Sequence, residues 1–470
     1  MYFWEALIME TPVQNGAIIL AGGEGKRMKS SMPKALCEVL FKPMIAWVLD
    51  AVDESGVGDV CVVTGHLHEK LEAYIGERCE TFEQKERLGT GHAVMQAVDF
   101  IKRHTGNILI LNGDAPLMDS ETIENALSYH INADNAVTVI SAKVSDPTGY
   151  GRIVRDDAGV LLRITEHADA TQEEKKINEV NSGAYWFKSG VLLEMLQKIV
   201  PNNAQGEYYL TDAVKLIIEK NLRAAAFTAK NSNVVLGAND RVQLLELNEI
   251  VRRSIIRKHL LEGVDIPCAD GIIIGPDVVI MRDTRILPNT VLQGETTIGS
   301  DCVVGPNSLI DNCKVGNNTV LKNVDAKDSK IGDNVDAGPF VHIRPGSQIA
   351  NRVHLGNFVE VKNSTIGEGT KVSHLTYVGD SDVGSDVNFG CGCVTVNYNG
   401  KDKNRTVIKD HAFIGCNTNL IAPVTVGEYG YTAAGSTIKE DVPPYSLAFE
   451  RGTQTIKENW VMIKKPFKNM

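Results

Sequence analysis

The positions of hydrophobic residues divide the chain into two parts with different periods. Between residues 16 and 238, short runs rich in aliphatic residues alternate with loops and with stretches of helical period. The runs at 17–20, 60–64, 107–111 and 136–141 are predicted strands. Such alternation is typical of α/β proteins. It predicts a Rossmann-like domain with a mostly parallel sheet.

A single long helix is predicted between the two parts. Residues 239–263 contain no proline, and their apolar residues recur at helical spacing. Gly263 follows the last apolar turn, which is where a helix commonly ends. We therefore expect residues 239–263 to connect two domains.

Beyond residue 263 the repeat length becomes six residues. Neither the helical period of about 3.6 nor the strand period of about 2 produces this step, whereas a solenoid of short strands and turns does. The alternative is a set of ordinary antiparallel strands with coincidental spacing, which six consecutive positions in phase argue against. The positions are Ile298, Val304 and Ile310; Ile331, Ala337, Ile343, Ile349, Leu355 and Val361; and Ile408, Ile414, Leu420, Val426, Thr432 and Ile438.

The register of this repeat breaks between Thr395 and Ile408. The break contains the polar and cationic segment NYNGKDKNR. We expect the segment to leave the coil as a loop, and loops that leave a solenoid often line its binding site.

Composition agrees with this division. Only 6% of the 470 residues are aromatic while 42 are glycine, as expected if part of the chain forms a prism too narrow for rings. Hydrophobic residues at 43% and charged residues at 23% exclude disorder as the main state.

The net charge of −11 argues against nucleic acid or an acidic membrane as the principal partner. Anionic small molecules stay candidates, because a local basic cluster can oppose the overall sign.

The sequence favours a cytoplasmic location. Glu5 interrupts the apolar start of the chain and no basic residue precedes it, so residues 1–15 are interpreted as a tail and not as a signal peptide. No apolar stretch approaches the roughly 18 residues that a membrane span needs. The nine cysteines are odd in number and scattered, which favours reduced thiols over a disulfide framework or a zinc site.

A glycine-rich segment after the first strand predicts a phosphate-binding loop. It reads LAGGEGKRM at residues 20–28 and is followed by Pro33 and Lys34. Glycines in such a turn let backbone N–H groups approach phosphate oxygens, and Arg27 and Lys34 would supply positive charge. Arg27 stands where a Walker A loop has Ser or Thr, and Met28 stands where a dinucleotide-binding loop has its third glycine. Taken alone, the segment would equally fit a plain turn.

Two further segments accompany this loop. Residues 88–93 (LGTGHA) are predicted to lead into a helix and suit a base or ribose edge. Asp114, in the sequence Asn112-Gly113-Asp114, follows an apolar strand. Its carboxylate would lie at the carboxyl end of a parallel sheet, where such domains bind ligands and hard metals. As a single residue, Asp114 would equally fit a helix cap or a turn.

The repeat half also contains side chains that a solenoid does not need. Two basic residues in this set suit a sugar phosphate, and a histidine suits proton transfer near neutral pH. Taken alone, that histidine would fit a turn residue with a satisfied hydrogen bond. The set comprises Arg344, Lys362, His374, Tyr377 and Asn388, with Asn397 and Tyr398 in the predicted loop.

Together these motifs resemble one family. LAGGEGKRMKSSMPK, LGTGHA, NGDAPL, PTGYGRI and GANDR are similar to a sugar-phosphate nucleotidyltransferase domain. With the hexapeptide half, they resemble the bacterial bifunctional N-acetylglucosamine-1-phosphate uridyltransferase and glucosamine-1-phosphate acetyltransferase family over nearly the whole chain. The resemblance implies an α/β nucleotidyltransferase domain followed by a left-handed parallel β-helix of hexapeptide repeats.

The resemblance also implies the domain boundaries. They are an N-terminal extension at 1–15, a uridylyltransferase domain at 16–238, a linker helix at 239–263, an acetyltransferase domain at 264–450 and a C-terminal arm at 451–470.

For the first domain, the resemblance implies uridylyl transfer from UTP to N-acetylglucosamine 1-phosphate with Mg²⁺. Arg27 and Lys34 would neutralise phosphates, and Asp114 and Asn239 would hold Mg²⁺. Three residues depart from the Ala, Thr and Tyr that the family often shows: Gly22, Lys26 and Asn112. The implied UTP and UDP-sugar contacts are Leu20, Ala21, Gly22, Gly23, Lys34, Gln84, Gly89, Thr90, Asn112, Gly113, Asp114, Gly151, Glu166, Asn181 and Asn239, with Gly151, Glu166 and Asn181 on the sugar.

For the second domain, it implies acetyl transfer from acetyl-CoA to the 2-amino group of glucosamine 1-phosphate. His374 would be the general base, and Asn397 would help orient the amine and the thioester. Cys391 and Cys416 replace the usual Ala and Ser, either as small fillers, our main interpretation, or as thiols open to acylation or oxidation. The sugar-phosphate contacts would be Arg344, Lys362, Tyr377 and Asn388. The acetyl-CoA contacts would be Cys391, Asn397, Tyr398, Cys416, Ala434 and Arg451.

The resemblance finally implies a cytoplasmic homotrimer that makes UDP-N-acetylglucosamine for the bacterial envelope, with acyl sites between subunits. Two alternatives stay open. One is a nucleotidyltransferase whose β-helix is only structural or regulatory, which the set His374, Asn388 and Asn397 argues against. The other is a non-catalytic assembly subunit, which Arg27, Lys34, Asp114 and Asn239 argue against.

Overall fold

The two parts of the sequence form two compact units, Met1–Val251 and Arg252–Met470, in a computed structural model. The structure describes residues 14–203, 205–450, 452–464 and 466. Most of the predicted N-terminal extension, Arg451 and the last residues of the predicted C-terminal arm lie outside the described residues. Each unit is considered separately below.

The first unit is built on a nine-stranded mixed sheet. Its strands are β1 Gly16–Leu20, β4 Asp59–Thr64, β5 Glu80–Glu83, β6 Asn107–Asn112, β7 Val137–Lys143, β8 Arg152–Arg155, β9 Leu161–Thr165, β10 Glu179–Lys188 and β11 Ala224–Thr228; a separate two-stranded ribbon pairs β2 Glu38–Val39 with β3 Lys42–Pro43. The main order is β11-β7-β10-β6-β1-β4-β5, with β8 and β9 attached beside β10. The strands around β1 are parallel, as predicted. However, β10 runs antiparallel between β6 and β7.

Helices cover both faces of this sheet. They are α1 Met44–Glu54, α2 His68–Ile75, α3 Thr90–Gln96, α4 Val98–Arg103, α5 Ser120–Asn132, α6 Ser189–Leu196 and α7 Leu210–Glu219. A longer helix, α8 Arg241–Leu261, follows and contains the boundary between the two units at Val251. Short 3-10 turns lie at Lys26–Met28, Lys34–Leu36, Glu174–Lys176 and Ser232–Val235.

The sheet has a separate apolar core on each face. Leu109 and Leu111 of β6 enter one core, and Ile108 and Ile110 enter the other. Because neighbouring side chains on a strand point to opposite faces, a strand covered on both sides is apolar throughout. This explains why the central strands are continuous hydrophobic runs.

Short parallel strands in two sheets form the second unit, with 18 strands in one sheet and 9 in the other. The larger sheet contains Ile273–Ile274, Arg285–Ile286, Val291–Gln293, Val303–Val304, Leu309–Asp311, Val320–Leu321, Val324–Lys327, Asp336–Ala337, Val341–Ile343, His354–Lys362, Lys371–Gly379, Asn388–Phe389, Val394–Val396, Phe413–Ile414, Asn419–Ile421, Tyr431–Thr432, Thr437–Ile438 and Leu447–Ala448. The smaller contains Val279–Ile280, Thr297–Ile298, Lys314–Val315, Lys330–Ile331, Gln348–Ile349, Thr365–Ile366, Ser381–Val383, Thr406–Ile408 and Val424–Val426. A short helix, α9 Trp460–Lys464, follows.

The six-residue repeat positions fill the interior of this parallel β-helix. Ile331, Ala337, Ile343 and Ile349 are each no more than 3% exposed. Each coil pairs with the next in register, as in Ala337 with Leu355 and Leu355 with Val372. The predicted solenoid is therefore confirmed, and the predicted loop lies between Val394–Val396 and Thr406–Ile408.

No described helix is both long enough and apolar enough to cross a membrane.

Candidate active sites

The glycine-rich loop of the first unit lines a cavity of about 280 Å³. The loop is fixed to the sheet at its start, because Ala21 N donates to Val63 O at 2.8 Å and Gly113 N donates to Leu20 O at 2.9 Å. Gly25 has a φ of 62°, and a Cβ there would lie 3.0 Å from Lys34 Cβ, so glycine suits this turn. Predicted residues in the cavity wall are Leu20, Ala21, Gly23, Arg27, Lys34, Asp114 and Asn239.

One ammonium group joins three residues in this cavity. Lys34 Nζ forms an ion pair with Asp114 Oδ2 and donates a hydrogen bond of 2.7 Å to Asn239 Oδ1. The Lys34 side chain is only 12% exposed. The structure therefore brings two oxygen ligands, predicted from positions 125 residues apart, onto a single cation.

A second cavity of about 270 Å³ shares Leu20, Asp114 and Asn239 with the first. Its predicted lining residues are Thr90, Asn112, Gly151, Glu166 and Asn181. Polar side chains are held in fixed positions: Asn181 Nδ2 donates to Tyr185 Oη at 2.6 Å, and Thr211 Oγ1 donates to Glu166 Oε1 at 3.3 Å. Burial raises the pKa of Glu166 above its usual value.

Three predicted residues cluster behind these cavities. Gln84 is 5% exposed, and its Nε2 lies 3.1 Å from both Gly89 O and His92 Nδ1. A Cβ at Gly22 would lie 3.0 Å from Gln84 Oε1, so the glycine at this position leaves room for the Gln84 amide. Neither cavity wall, as described above, includes Gln84, Gly22 or Gly89.

Asn112 and Gly113 have different environments. A Cβ at Gly183 would lie 2.2 Å from Asn112 Nδ2, so the Asn112 side chain lies against the backbone of Gly183 and faces the second cavity. A Cβ at Gly113 would lie 2.9 Å from Ile45 Cδ1. Packing against buried side chains therefore favours a glycine at position 113.

In the second unit, Asp380 connects several predicted residues. This carboxylate is 5% exposed. It accepts hydrogen bonds from Lys362 Nζ at 3.2 Å, from Asn363 Nδ2 at 2.6 Å and from Asn397 Nδ2. Asn397 Nδ2 also donates to Tyr377 Oη at 3.3 Å. Lys362, Tyr377 and Asn397, predicted separately, are therefore in one hydrogen-bonded group.

Arg344 and His374 lie on coils next to this group. Arg344 Nη1 donates to Glu360 Oε1 at 2.9 Å, and Glu360 is paired in register with Tyr377. His374 is exposed, and its Nδ1 lies 3.4 Å from Asn357 Oδ1 on the preceding coil. Because Asn357 and His374 are also paired in register, the stacking of the coils fixes this neighbour.

Three predicted acetyl-CoA positions stack on successive coils. Phe389 pairs with Ile414, and Ile414 pairs with Thr432. Two residues further along each coil stand Cys391, Cys416 and Ala434, none of which is buried. Asn388, three residues before Cys391 in the chain, is paired in register with Lys371 and Phe413. Tyr398 is exposed in the loop, with its Oη donating to Gly400 O, and Arg451 lies outside the described residues.

Several residues of these sites were not predicted: Asn357, Glu360 and Asp380 in the second unit, and Tyr185 and Thr211 in the first. Asp380 ends the segment SHLTYVGD, so a charged residue at a turn next to Tyr377 was the available signal. Asn357, Glu360 and Thr211 contact predicted residues on other elements, so their spacing in the sequence gave no indication of it. Tyr185 contacts Asn181 within one strand, where a register shift brings together two residues four positions apart.

Comparisons with known proteins find matches in both units. A family model described as nucleotidyl transferase matches residues 16–242, and one described as bacterial transferase hexapeptide (six repeats) matches residues 277–312.

Three curated relatives carry the name bifunctional protein GlmU. The relative from Acetivibrio thermocellus is 47% identical over 95% of this chain and 97% of its own length. Those from Thermoanaerobacter pseudethanolicus and Caldanaerobacter subterraneus subsp. tengcongensis are 50% and 49% identical, over 95% and 96% of this chain and 98% of each relative. With matches of this identity over both units, the chain belongs to the family of bifunctional GlmU transferases.

Proposed function

We propose that the two units catalyse successive steps in the synthesis of UDP-N-acetylglucosamine. The second unit would acetylate glucosamine 1-phosphate with acetyl-CoA. The first unit would then transfer the uridylyl group of UTP to the N-acetylglucosamine 1-phosphate and release pyrophosphate. Family membership supports both activities, and the junction of two cavities at Lys34, Asp114 and Asn239 is the observation that best supports the second step.

In uridylyl transfer, a phosphate oxygen of the sugar phosphate attacks the α-phosphorus of UTP, and pyrophosphate leaves. Both reactants are anions, so the site must hold them together against repulsion. Arg27 and Lys34 in the first cavity would neutralise phosphate charge, and the backbone N–H groups of the loop would donate hydrogen bonds to phosphate oxygens. Glu166 and Asn181 in the second cavity would hold sugar hydroxyl and amide groups. The reaction needs no protein nucleophile.

The donor set at Asp114 and Asn239 fits Mg²⁺. Their carboxylate and amide oxygens already converge on the cation of Lys34, and Mg²⁺ is commonly held by one or two protein oxygens together with substrate phosphates. Among the described residues, no three His, Cys, Asp or Glu side chains converge as a metal site, which agrees with a shared protein–phosphate site. When bound, the ion would offset the charge that develops on the phosphates.

In acetyl transfer, the substrate ammonium must lose a proton before its lone pair can attack the thioester carbon. His374 would accept that proton on Nε2, since its Nδ1 faces Asn357 Oδ1 at 3.4 Å and a donated Nδ1–H there favours this tautomer. The C–S bond then breaks, and the sulfur of CoA leaves and takes up a proton. Arg344, Lys362, Tyr377 and Asn388 would hold the sugar phosphate.

The acetyl-CoA chain would lie along the column Cys391, Cys416 and Ala434. We assign the two thiols a space-filling role, because the substrate amine attacks the thioester directly. The loop residues Asn397 and Tyr398 would border the thioester, and Arg451 would complete the set.

A homotrimer would place a second copy beside His374. Phe340, Phe358 and Leu375 form a column on successive coils next to this residue and are 56%, 57% and 61% exposed. The two phenylalanine rings stack with centroids 5.3 Å apart. Such a column of exposed apolar side chains is typical of a contact surface, and it supports acyl sites built between subunits.

We also propose a cytoplasmic location. All nine cysteines are free, and free thiols suit a reducing compartment.

A two-part assay tests the proposal. Purified protein should release pyrophosphate from UTP and N-acetylglucosamine 1-phosphate in the presence of Mg²⁺, and should release free CoA from acetyl-CoA and glucosamine 1-phosphate. Pyrophosphate release without any CoA release would support the alternative in which the β-helix is structural or regulatory. Release of neither product would contradict both proposed activities.

A further inference from the structure

Asp380 is a buried charge at a turn of the β-helix. It lies between the strands Lys371–Gly379 and Ser381–Val383, with a φ of 48°. Burying a carboxylate is costly unless hydrogen bonds compensate for the lost water. Burial alone would raise the pKa of Asp380, but hydrogen bonds from Asn363, Asn397 and Lys362 outweigh burial and hold the pKa below its usual value. The carboxylate is therefore ionised at neutral pH.

Asp380 also holds both ends of the loop that leaves the coil, the start through its carboxylate and the end through its backbone carbonyl. At the start of the loop, Asn397 Nδ2 donates to Asp380 Oδ2. At its end, Thr406 N donates to Asp380 O at 3.1 Å. The loop closes on itself where Asn404 N donates to Asn397 O at 2.8 Å. Asp380 is thus a common anchor for the loop and for Lys362.

The contacts of Asn397 determine which end of its amide is available. An amide NH₂ has two hydrogens to donate, and Asp380 and Tyr377 lie within reach of Nδ2. With both hydrogens used, the Asn397 amide presents its Oδ1 as an acceptor. An acceptor there suits the N–H groups of an amine and would orient the amine lone pair.

We propose that Asp380 is a positioning residue for acetyl transfer, which sets the orientation of the Asn397 amide and fixes its distance from the Lys362 ammonium. It touches neither substrate. An ionised carboxylate only accepts hydrogen bonds. It therefore requires Nδ2 of Asn397 to point toward Asp380, which leaves Oδ1 of Asn397 pointing away from Asp380. An amide at position 380 accepts and donates, so it removes this constraint. The proposal rests on the proposed acetyltransferase function of the second unit.

The first test is Asp380→Asn, which keeps the size of the side chain and removes the charge. We expect kcat for CoA release to fall by about 10- to 100-fold, because misplaced groups lose rate on this scale. We expect KM for glucosamine 1-phosphate to rise, since Lys362 loses its anchor. Pyrophosphate release by the same protein should be unchanged, which reports that the first unit has folded and that the loss is confined to the second unit. A kcat within about threefold of wild type would overturn the proposal.

Asp311→Asn is the matched control. Asp311 Oδ2 pairs with Lys327 Nζ at 3.1 Å across neighbouring coils, so the same change breaks a similar ion pair elsewhere on the β-helix. Its CoA release should stay near wild type. An equal loss in Asp311→Asn and Asp380→Asn would mean that the effect is general to the β-helix and would overturn the proposal.

An exchange of the two side chains gives an independent measurement. In Asn397→Asp, two carboxylates face each other, and CoA release should fall sharply. In the double variant Asp380→Asn with Asn397→Asp, Nδ2 of residue 380 can donate to one carboxylate oxygen of residue 397, and the other oxygen is again presented outward. We expect CoA release by the double variant to be at least about tenfold faster than by Asn397→Asp alone, because the effects of coupled neighbours are not additive. Simple addition of the two losses would refute the coupling.

These outcomes separate this proposal from the proposed function. If wild-type protein releases no CoA, the acetyltransferase assignment fails first. If wild-type protein is active and the Asp380 variants match it, only the positioning role fails.

Discussion

Lys34 and Asp114 lie 80 residues apart in the sequence, yet their side chains form an ion pair at the junction of two cavities. Lys34 Nζ also donates to Asn239 Oδ1 at 2.7 Å. The lysine therefore occupies the position between two oxygens that the family resemblance assigns to Mg²⁺. Since the Lys34 ammonium and Mg²⁺ are both positively charged, the ammonium would have to turn away from Asp114 and Asn239 toward phosphate oxygens when the ion binds.

Asp114→Asn tests this arrangement. The amide keeps the shape but lacks the charge that would hold a divalent cation, so pyrophosphate release should fall by about 100-fold or more and respond weakly to added Mg²⁺. CoA release should be unchanged. Asp119→Asn is the control, because Asp119 caps helix α5 through Thr122 N at 2.7 Å and asparagine caps equally well. Unaltered Mg²⁺-dependent pyrophosphate release in Asp114→Asn would disprove the metal assignment.

His374→Ala should produce the opposite pattern. Loss of a general base typically costs about 10²- to 10⁴-fold in rate, so CoA release should fall on that scale while pyrophosphate release stays near normal. His354→Ala is the control, since His354 is a partly exposed histidine on the neighbouring coil, paired with Asp336. Parallel loss of both activities in His374→Ala would argue against two independent sites.

The periodic parts of the fold were predictable from the sequence because buried positions recur along the chain at the spacing that the secondary structure sets. In the β-helix an aliphatic or small side chain is buried at every sixth position over these coils, so Ile343 and Leu355 were recognisable as interior residues without any knowledge of their neighbours. The direction of β10 was not predictable, because a buried strand has the same hydrophobic pattern whether its neighbours run parallel or antiparallel to it.

The candidate sites were predictable only in part, and for a related reason. Residues with unusual chemistry for their setting, such as His374 and Lys362, stood out from the repeat. Asp380 did not, because its role depends on which donors the stacking of coils brings to it. Asn397 reaches Asp380 only after the chain has completed another coil.

Leu375→Asp tests the proposed contact surface of the trimer. A charge on the exposed column with Phe340 and Phe358 should weaken assembly, and the molecular mass measured by sedimentation should fall toward that of one chain. CoA release should fall with it if the acyl site needs a second subunit. Met281→Asp, which changes another side chain that is 50% exposed on the second unit, should leave the mass unchanged. A monomeric wild type would contradict the proposed homotrimer.

Cysteine labelling tests the acetyl-CoA column. Cys416 and Cys268 are exposed, whereas Cys393 is buried and its pKa is raised to about 11 by that burial. Because the thiolate is the reactive form, iodoacetamide should modify Cys416 and Cys268 well before Cys393, as read by peptide mass spectrometry. Acetyl-CoA should protect Cys416 and leave Cys268 unprotected. Equal labelling of Cys416 with and without acetyl-CoA would place the cofactor elsewhere.

The Cys416→Ser and Cys391→Ala variants extend this test. If the thiols only fill space, both variants should keep CoA release within about threefold of wild type, since small isosteric changes are well tolerated. A loss of tenfold or more would instead assign chemistry to one of the thiols.

The buried carboxyl group of Glu166 is predicted to make the folded protein less stable at high pH than at low pH. Burial raises the pKa of its carboxyl group, so the folded protein disfavours the ionised form relative to the unfolded chain. The stability that this group contributes is complete below the ordinary glutamate pKa of about 4.3 and is lost as pH rises through the raised value. Glu166→Gln does not titrate. Its thermal midpoint should therefore exceed that of wild type at pH 8 by more than it does at pH 4.

Glu174→Gln supplies a control of opposite sign. A backbone hydrogen bond from Thr171 and the side chain of Arg163 lower the pKa of Glu174 to about 2, so this carboxylate stabilises the fold above pH 4.3 or so and loses that effect as pH falls toward 2. Its replacement should lower the thermal midpoint at pH 8. If Glu166 holds the sugar, Glu166→Gln should also raise KM for N-acetylglucosamine 1-phosphate, whereas Glu174→Gln should not. A Glu166→Gln protein that is less stable than wild type at pH 8 would contradict this prediction. It would show that the ionised Glu166 carboxylate stabilises the fold, as the Glu174 carboxylate does.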